Sequence, residues 1–113
     1  ARCRWSRPLL SWGIRHMSFA LPVERLRETE TLLAFHHPRP SHAVHILVVP
    51  KEPFGSLMEM PPEAGGFLTD LLETVQLLVV ELGLEDRGYR LIVNGGAYQE
   101  VPLLHVHLVA DGS

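Results

Sequence analysis

The sequence predicts a single α+β domain built on an antiparallel sheet. Two observations carry this prediction. Short apolar runs typical of strands flank one long stripe of apolar residues at helical spacing, and the last two strand-like runs are joined by a loop too short for a parallel crossover. The length of 113 residues suits one hydrophobic core, which needs no disulfide or metal to support it.

The first half of the chain predicts a short helix and two strands. Residues 12–20 form the short helix, since Pro8 and Gly13 interrupt any longer one. Residues 31–35 (TLLAF) predict a strand, and HHPRPSH predicts a loop fixed by its two prolines. The run VHILVV at residues 44–49 is strongly β-branched and predicts a central strand that ends at Pro50.

The middle of the chain predicts a long helix. Residues 52–63 are rich in proline and glycine and form a loop, with Pro61 and Pro62 in the first helical turn. Gly83 ends the helix after Leu82. The apolar residues recur at steps of three and four and predict one broad buried face on the sheet, with leftover apolar residues for a partner: Phe67, Leu68, Leu71, Leu72, Val75, Leu78, Val79 and Leu82.

The last two strands carry the candidate site. Residues 89–93 predict one strand, residues 94–102 a loop, and LLHVHLVA the closing strand. Alternation in a strand places His105, His107 and Val109 in one row, and His45 on the central strand can meet them on the same face. Clustered imidazoles serve a metal site or a nucleophilic attack on phosphorus, and spacing alone does not choose between the two.

Composition limits the classes of function. The formal net charge of −3 argues against a general nucleic-acid-binding role. A lone cysteine, Cys3, excludes an intrachain disulfide and a tetrathiolate zinc site. No apolar run is long enough to span a bilayer. Residues 1–11 carry Arg2, Arg4 and Arg7 without an acidic residue, which predicts a basic arm for mitochondrial targeting, or else for docking in a cytoplasmic protein.

Three stretches resemble the histidine triad (HIT) family, in its nucleotide-binding branch. Residues 21–51, which contain AFHH and VHILVVPK, match the family's strand, loop and strand without a gap. Residues 82–96 match its helix end and following strand, and HVHL begins eleven residues after Asn94. The resemblance implies a five-stranded antiparallel sheet with two helices over residues 12–113, commonly as a homodimer. It also implies hydrolysis of nucleotide substrates, phosphoramidates among them, through a nucleotidyl-histidine.

The family motif assigns roles to individual residues. By this resemblance His107 is the nucleophile, His105 is the first histidine of the motif, and His45 is the upstream histidine that supports the site. Asn94 matches an asparagine near the phosphate. Phe35, His37 and Val109 join Asn94 as the predicted nucleotide-binding residues, and no cofactor and no metal ligand is predicted.

Several positions depart from the family pattern. Val109 stands where the third histidine belongs, and its side chain cannot donate a hydrogen bond to a phosphate. His37 replaces an acidic residue that would hold the ribose. Glu100, Val101 and Pro102 replace a loop rich in glycine and serine, so one amide donor is lost and a negative charge is added.

Three hypotheses follow from these residues. The favoured one is a domain with impaired catalysis that serves as a binding or structural subunit, with a purine nucleotide, a second copy or a larger protein assembly as its partner. The alternative is a nucleotide phosphoramidase or hydrolase that uses His107. A metal-binding protein using His45, His105 and His107 ranks last, because no carboxylate stands near them to orient the imidazoles.

Overall fold

The fold is a five-stranded antiparallel sheet with a long helix packed on one face, which confirms the predicted class. The computed structural model describes residues 24–112. The strands lie in the order β1-β2-β3-β5-β4, and every neighbouring pair is antiparallel. Their bounds are Arg25–Glu28 (β1), Leu32–His36 (β2), Val44–Pro50 (β3), Arg90–Ile92 (β4) and Val106–Ala110 (β5). The predictions for residues 1–23, namely the basic arm, its targeting and the short helix, lie outside the described residues.

Strand β1 was not predicted from the sequence. Its residues RLRE are mostly charged, so they show no apolar alternation. Within residues 24–112 it is an edge strand that pairs with β2 only, with a bulge between Arg25 and Arg27, so it does not need an apolar residue at every second position. Its charged side chains find partners nearby. Arg25 and Lys51 bind Glu28 at 3.1 and 2.7 Å, and Arg27 donates from Nε to the Thr74 hydroxyl at 3.0 Å.

The long helix α1 spans Gly65–Glu81 and starts later than predicted. Pro62–Ala64 form a separate 3₁₀ turn before it. The helix ends where Gly83 adopts a left-handed backbone conformation with φ 67°, and the one-turn helix α2 (Leu84–Arg87) follows. Two threonines at the β1–β2 turn donate to one helical carboxylate: Thr31 and Thr29 bind Asp70 at 2.6 and 2.9 Å.

The helical stripe divides between the core and solvent. Phe67, Val75, Leu78 and Val79 are buried, and Leu71 is partly buried at the edge of the same core. The prediction was wrong for Leu68 and Leu72, which are 51% and 59% exposed. The apolar stripe is wider than the area of α1 that contacts the sheet. Its outer margin, formed by Leu68 and Leu72, is therefore exposed. No helix among residues 24–112 is long and apolar enough to cross a membrane.

The two faces of the sheet differ. Alternate residues of β2, β3 and β5 enter the core beneath α1, among them Ile46, Val48 and Leu108. The opposite face carries a small apolar cluster formed by Leu33, Phe35 and Leu47. In the register of the sheet Leu47 pairs with His107, so this second face, here called the histidine face, continues from the apolar cluster into imidazoles.

Candidate functional site

A cavity of about 660 Å³ opens on the histidine face. This volume is within the range of about 300–1,000 Å³ that is common for small-molecule sites. Its wall combines the ends of β3, β4 and β5 with the loop after β2 and the loop before β5. The lining residues are His37, Arg39, Ser41, His42, His45, Ile92, Asn94, Tyr98, Glu100, Val101, His105, His107 and Val109.

His45 and His107 form the centre of the site. The two residues lie on neighbouring antiparallel strands, and His45 Nε2 is 2.9 Å from His107 Nδ1. His45 is buried at 7% exposure, whereas His107 is partly exposed to the cavity. Strand alternation therefore brings the two histidines together as the sequence analysis expected.

The loop between β2 and β3 orients two of the imidazoles through its backbone. The Ser41 amide donates to His45 Nδ1 at 3.1 Å, and the Arg39 amide donates to His37 Nδ1 at 2.9 Å. The backbone N–H of His37 also donates to the backbone carbonyl of His45 at 2.8 Å, which folds the loop back toward β3. The His37 ring centre consequently lies 4.4 Å from that of His45.

His105 lies beside this pair, but it is not in the strand. Strand β5 begins at Val106, so the prediction of a strand from Leu103 onward was wrong. The backbone at residues 101–103 bends, and Leu104 N–H bonds to the Phe54 carbonyl instead of a neighbouring strand. His105 Nδ1 bonds to the Leu103 carbonyl at 2.7 Å, and its ring centre is 4.9 Å from that of His107.

Burial keeps the central imidazoles neutral. Desolvation, followed by the nearby His105, His45, His37 and His42 in that order, lowers the pKa of His107 to about 4. Desolvation, followed by the nearby His42, also lowers the pKa of His45. The pKa of His105 falls for the same reason, partly offset by its bond to the Leu103 carbonyl. These rings act as neutral hydrogen-bonding groups near pH 7.

The other predicted residues fall in different places. Asn94, just beyond β4, and His37 line the cavity. Val109 also lines it and pairs directly with His45 in the sheet register. Phe35 lies on the histidine face but belongs to the apolar cluster with Leu33 and Leu47, and it is not among the lining residues.

Five lining residues were not singled out from the sequence: Arg39, Ser41, His42, Ile92 and Tyr98. The signal for the first three was present in HHPRPSH, where a loop held by prolines carries extra polar groups. Tyr98 follows two glycines and is 82% exposed. Nothing in its local sequence indicates that the loop brings it to the cavity rim.

The electrostatics of the cavity are weak. Arg39 and Glu100 are lining residues of opposite charge, so their charges offset each other on the wall. Among residues 24–112, no three histidine, cysteine or acidic side chains are placed to hold a metal ion. His45 and His107 instead bond to each other, which leaves hydrogen bonding as the main chemistry of the site.

The sequence is similar to known proteins over most of its length. The HIT domain matches residues 19–112. An uncharacterized HIT-like protein of Synechococcus elongatus is 38% identical over 95 residues, which cover 82% of each chain.

Two solved structures share the fold. A histidine triad protein from Clostridium difficile aligns with a TM-score of 0.77 and 28% identity, covering 96% of this chain and 95% of the other. A HIT family hydrolase from Clostridium thermocellum aligns with a TM-score of 0.76 and 31% identity, covering 90% and 88% of the two chains.

Proposed function

Because the chain belongs to the HIT domain family, we propose that it is a nucleotide-binding domain in which catalysis is impaired. The observation that carries this proposal is the position of Val109. It lines the cavity beside His45, its partner in the sheet register. By the resemblance to the family motif, Val109 occupies the position of the third histidine. A valine at this position can neither donate a hydrogen bond to a phosphate nor exchange a proton.

The shape and donors of the cavity support binding. Its size suits a mononucleotide, and the Asn94 amide, the His107 ring and Arg39 are available around it. Tyr98 at the rim offers an exposed aromatic ring on which a nucleobase can stack. Glu100 on the same wall repels a phosphate, so we expect weak affinity.

A binding titration tests this part of the proposal. AMP and GMP are added to the protein at neutral pH, with Tyr98→Ala as the variant that removes the stacking surface. Saturable binding at the cavity, weakened by Tyr98→Ala, supports the proposal. If neither nucleotide binds at millimolar concentration, the nucleotide-binding role is wrong and a purely structural role remains.

A turnover assay tests the impaired catalysis. Loss of one preorganised donor costs roughly a hundredfold to a thousandfold in rate. Two such losses, at Val109 and at the amide of Pro102, place hydrolysis of an adenosine phosphoramidate at least about four orders of magnitude below that of a competent family member. Mass spectrometry should find no nucleotidyl adduct on His107, and an adduct that disappears in His107→Ala would contradict the proposal.

One observation favours a second candidate, a nucleotide hydrolase with His107 as its nucleophile. The His107 ring lines the cavity and is partly exposed to it, and one structurally similar protein is described as a hydrolase. The turnover assay separates the two candidates, since a working enzyme must form and release the adduct.

We also propose that two copies of the chain associate through the outer margin of α1. Leu68, Leu72 and Val80 are between 51% and 61% exposed along one side of this helix, which is a large apolar area to leave in water. Sedimentation should show a dimer for the wild type and a monomer for Leu72→Glu, with Met58→Glu, at an exposed position outside the helix, as a control for added charge. A wild-type monomer at all concentrations contradicts this association.

A further inference from the structure

We infer that Ser41 is a positioning residue whose backbone amide, acting through His45, makes His107 a hydrogen-bond donor to a phosphate oxygen and withholds it as a nucleophile. This inference rests on the proposed function and explains it by the positions of the ring protons. It concerns two successive contacts: the Ser41 amide lies 3.1 Å from His45 Nδ1, and His45 Nε2 lies 2.9 Å from His107 Nδ1.

The first contact determines the protonation of His45. A backbone N–H can only donate, so the ring nitrogen that faces the Ser41 amide must carry a lone pair. His45 therefore has no proton on Nδ1, and its single proton is on Nε2. The partners of the ring assign this tautomer.

The second contact passes the assignment on to His107. His45 Nε2–H points at His107 Nδ1, which accepts the hydrogen bond and therefore carries a lone pair as well. Neutral His107 then holds its proton on Nε2. The low pKa of His107 means that the ring is neutral and carries this single proton.

A nucleophilic imidazole needs a lone pair on the attacking nitrogen. In His107 the Nδ1 lone pair is engaged by His45, and Nε2 carries the proton. Exchanging the two positions would move the His45 proton from Nε2 to Nδ1, where it would oppose the Ser41 amide. The loop amide therefore holds both rings in the state in which His107 donates.

In His37, as in His45, a backbone amide of this loop donates to the Nδ1 atom of the ring. Its Nδ1 accepts from the Arg39 amide, so its proton is also on Nε2. Two amides of one loop thus set two neighbouring imidazoles as Nε2–H donors. The ligand that suits them is rich in acceptors and anionic, as a phosphate group is.

Nitrogen-15 NMR of histidine-labelled protein without nucleotide tests the inference directly. At neutral pH we expect His107 to show a protonated Nε2 and an unprotonated Nδ1, with the resonances assigned by their loss in His107→Phe. Inorganic phosphate should then shift the Nε2–H resonance of His107 and leave that of the exposed His36 unchanged. An Nδ1–H tautomer, or no shift with phosphate, overturns the inference.

A matched pair of variants tests the role of the amide. Ser41→Ala keeps the backbone N–H and should keep the Nε2–H tautomer of His107, whereas Ser41→Pro removes it and should yield a mixture of tautomers. If Ser41→Pro does not fold, His45→Phe breaks the same relay with the same readout. If the tautomer of His107 is unchanged in whichever of these two variants folds, the role of Ser41 is contradicted. Because the tautomer is measured without ligand, this result is separate from any failure of AMP to bind.

Discussion

The two faces of the sheet show how one set of strands serves two purposes. On β3, Ile46 and Val48 enter the core beneath α1, while His45 points to the cavity from the other side. Most buried apolar side chains lie on the helix side, whereas the histidine face has a small apolar cluster beside a row of imidazoles. We infer that the helix face supplies most of the stability and that the histidine face can change its chemistry without loss of the fold.

The largest effect on stability is expected beneath the helix. Leu78 is 2% exposed in the core between α1 and the sheet. Leu78→Ala should lower the free energy of unfolding by about 2–5 kcal/mol, because the loss of transfer energy is added to the cost of a cavity. Denaturant unfolding measures this change.

The control lies on the same helix. Leu72 is 59% exposed, so Leu72→Ala in dilute protein should change the unfolding free energy by no more than about 0.5 kcal/mol. Equal losses for the two variants would contradict the division of the helix into a packed side and an open side.

The histidine face should be the acid-sensitive one. The folded-state pKa of His107 is about 4, below its ordinary value of 6.5, so between these values the unfolded chain binds more protons. The contribution of His107 to the free energy of unfolding is therefore fully present above pH 6.5 and is lost as the pH falls toward 4. We expect a loss of roughly 1–2 kcal/mol from His107 after allowing for its partial exposure to solvent.

Chemical unfolding at a series of pH values measures this loss. His107→Phe should flatten the stability profile between pH 4 and 6.5, whereas replacement of the exposed His36 by Ala should leave it unchanged. His45 and His105 contribute in the same direction because burial lowers the pKa of both. A slope that is the same in His107→Phe would contradict the prediction.

The smallest effect is expected on the helix side, in a lower pH window. The hydroxyls of Thr31 and Thr29, in that order, hold the pKa of Asp70 below its ordinary value of 3.8. Its contribution is present above pH 3.8 and is lost as the pH falls through the lower folded-state pKa. Thr31→Val should lower the melting temperature slightly at neutral pH, and the difference from wild type should shrink in strong acid.

This result would sharpen the comparison between the two faces. The helix side and the histidine face would then lose stability in separate pH windows, with carboxylates responsible for one and imidazoles for the other. A difference that persists unchanged in strong acid would show that Thr31 acts through packing and not through Asp70.

The fold could be predicted where the residue pattern matches what is buried. Strand β3 is buried along most of its length, so its β-branched run shows it clearly. Strand β1 gave no such signal, because an edge strand can be built from charged residues. The helical stripe predicted α1, but periodicity cannot tell which part of a broad apolar belt lies against the sheet, as Leu68 and Leu72 show.

The site was predicted in part. Alternation along β3 and β5 was enough to place His45 beside His107, since both residues lie in regular strands. His105 also lies at the cavity as predicted, although its backbone precedes β5 and is not part of the regular strand. The role of Ser41 depends on how a loop with two prolines folds back on β3, and the residue pattern does not show which backbone amide of the loop meets the His45 ring.

The two edges of the sheet set a limit on the growth of any assembly. The bulge in β1 and its charged side chains make that edge a poor template for another strand, whereas β4 is short, unbulged and carries the exposed Leu91. If two copies paired along β4 in a two-fold arrangement, the bulged strand β1 of each copy would face outward. Neither end of the joined sheet would then offer an edge on which another strand can pair. Growth by strand pairing therefore stops at two chains and does not extend into a fibril.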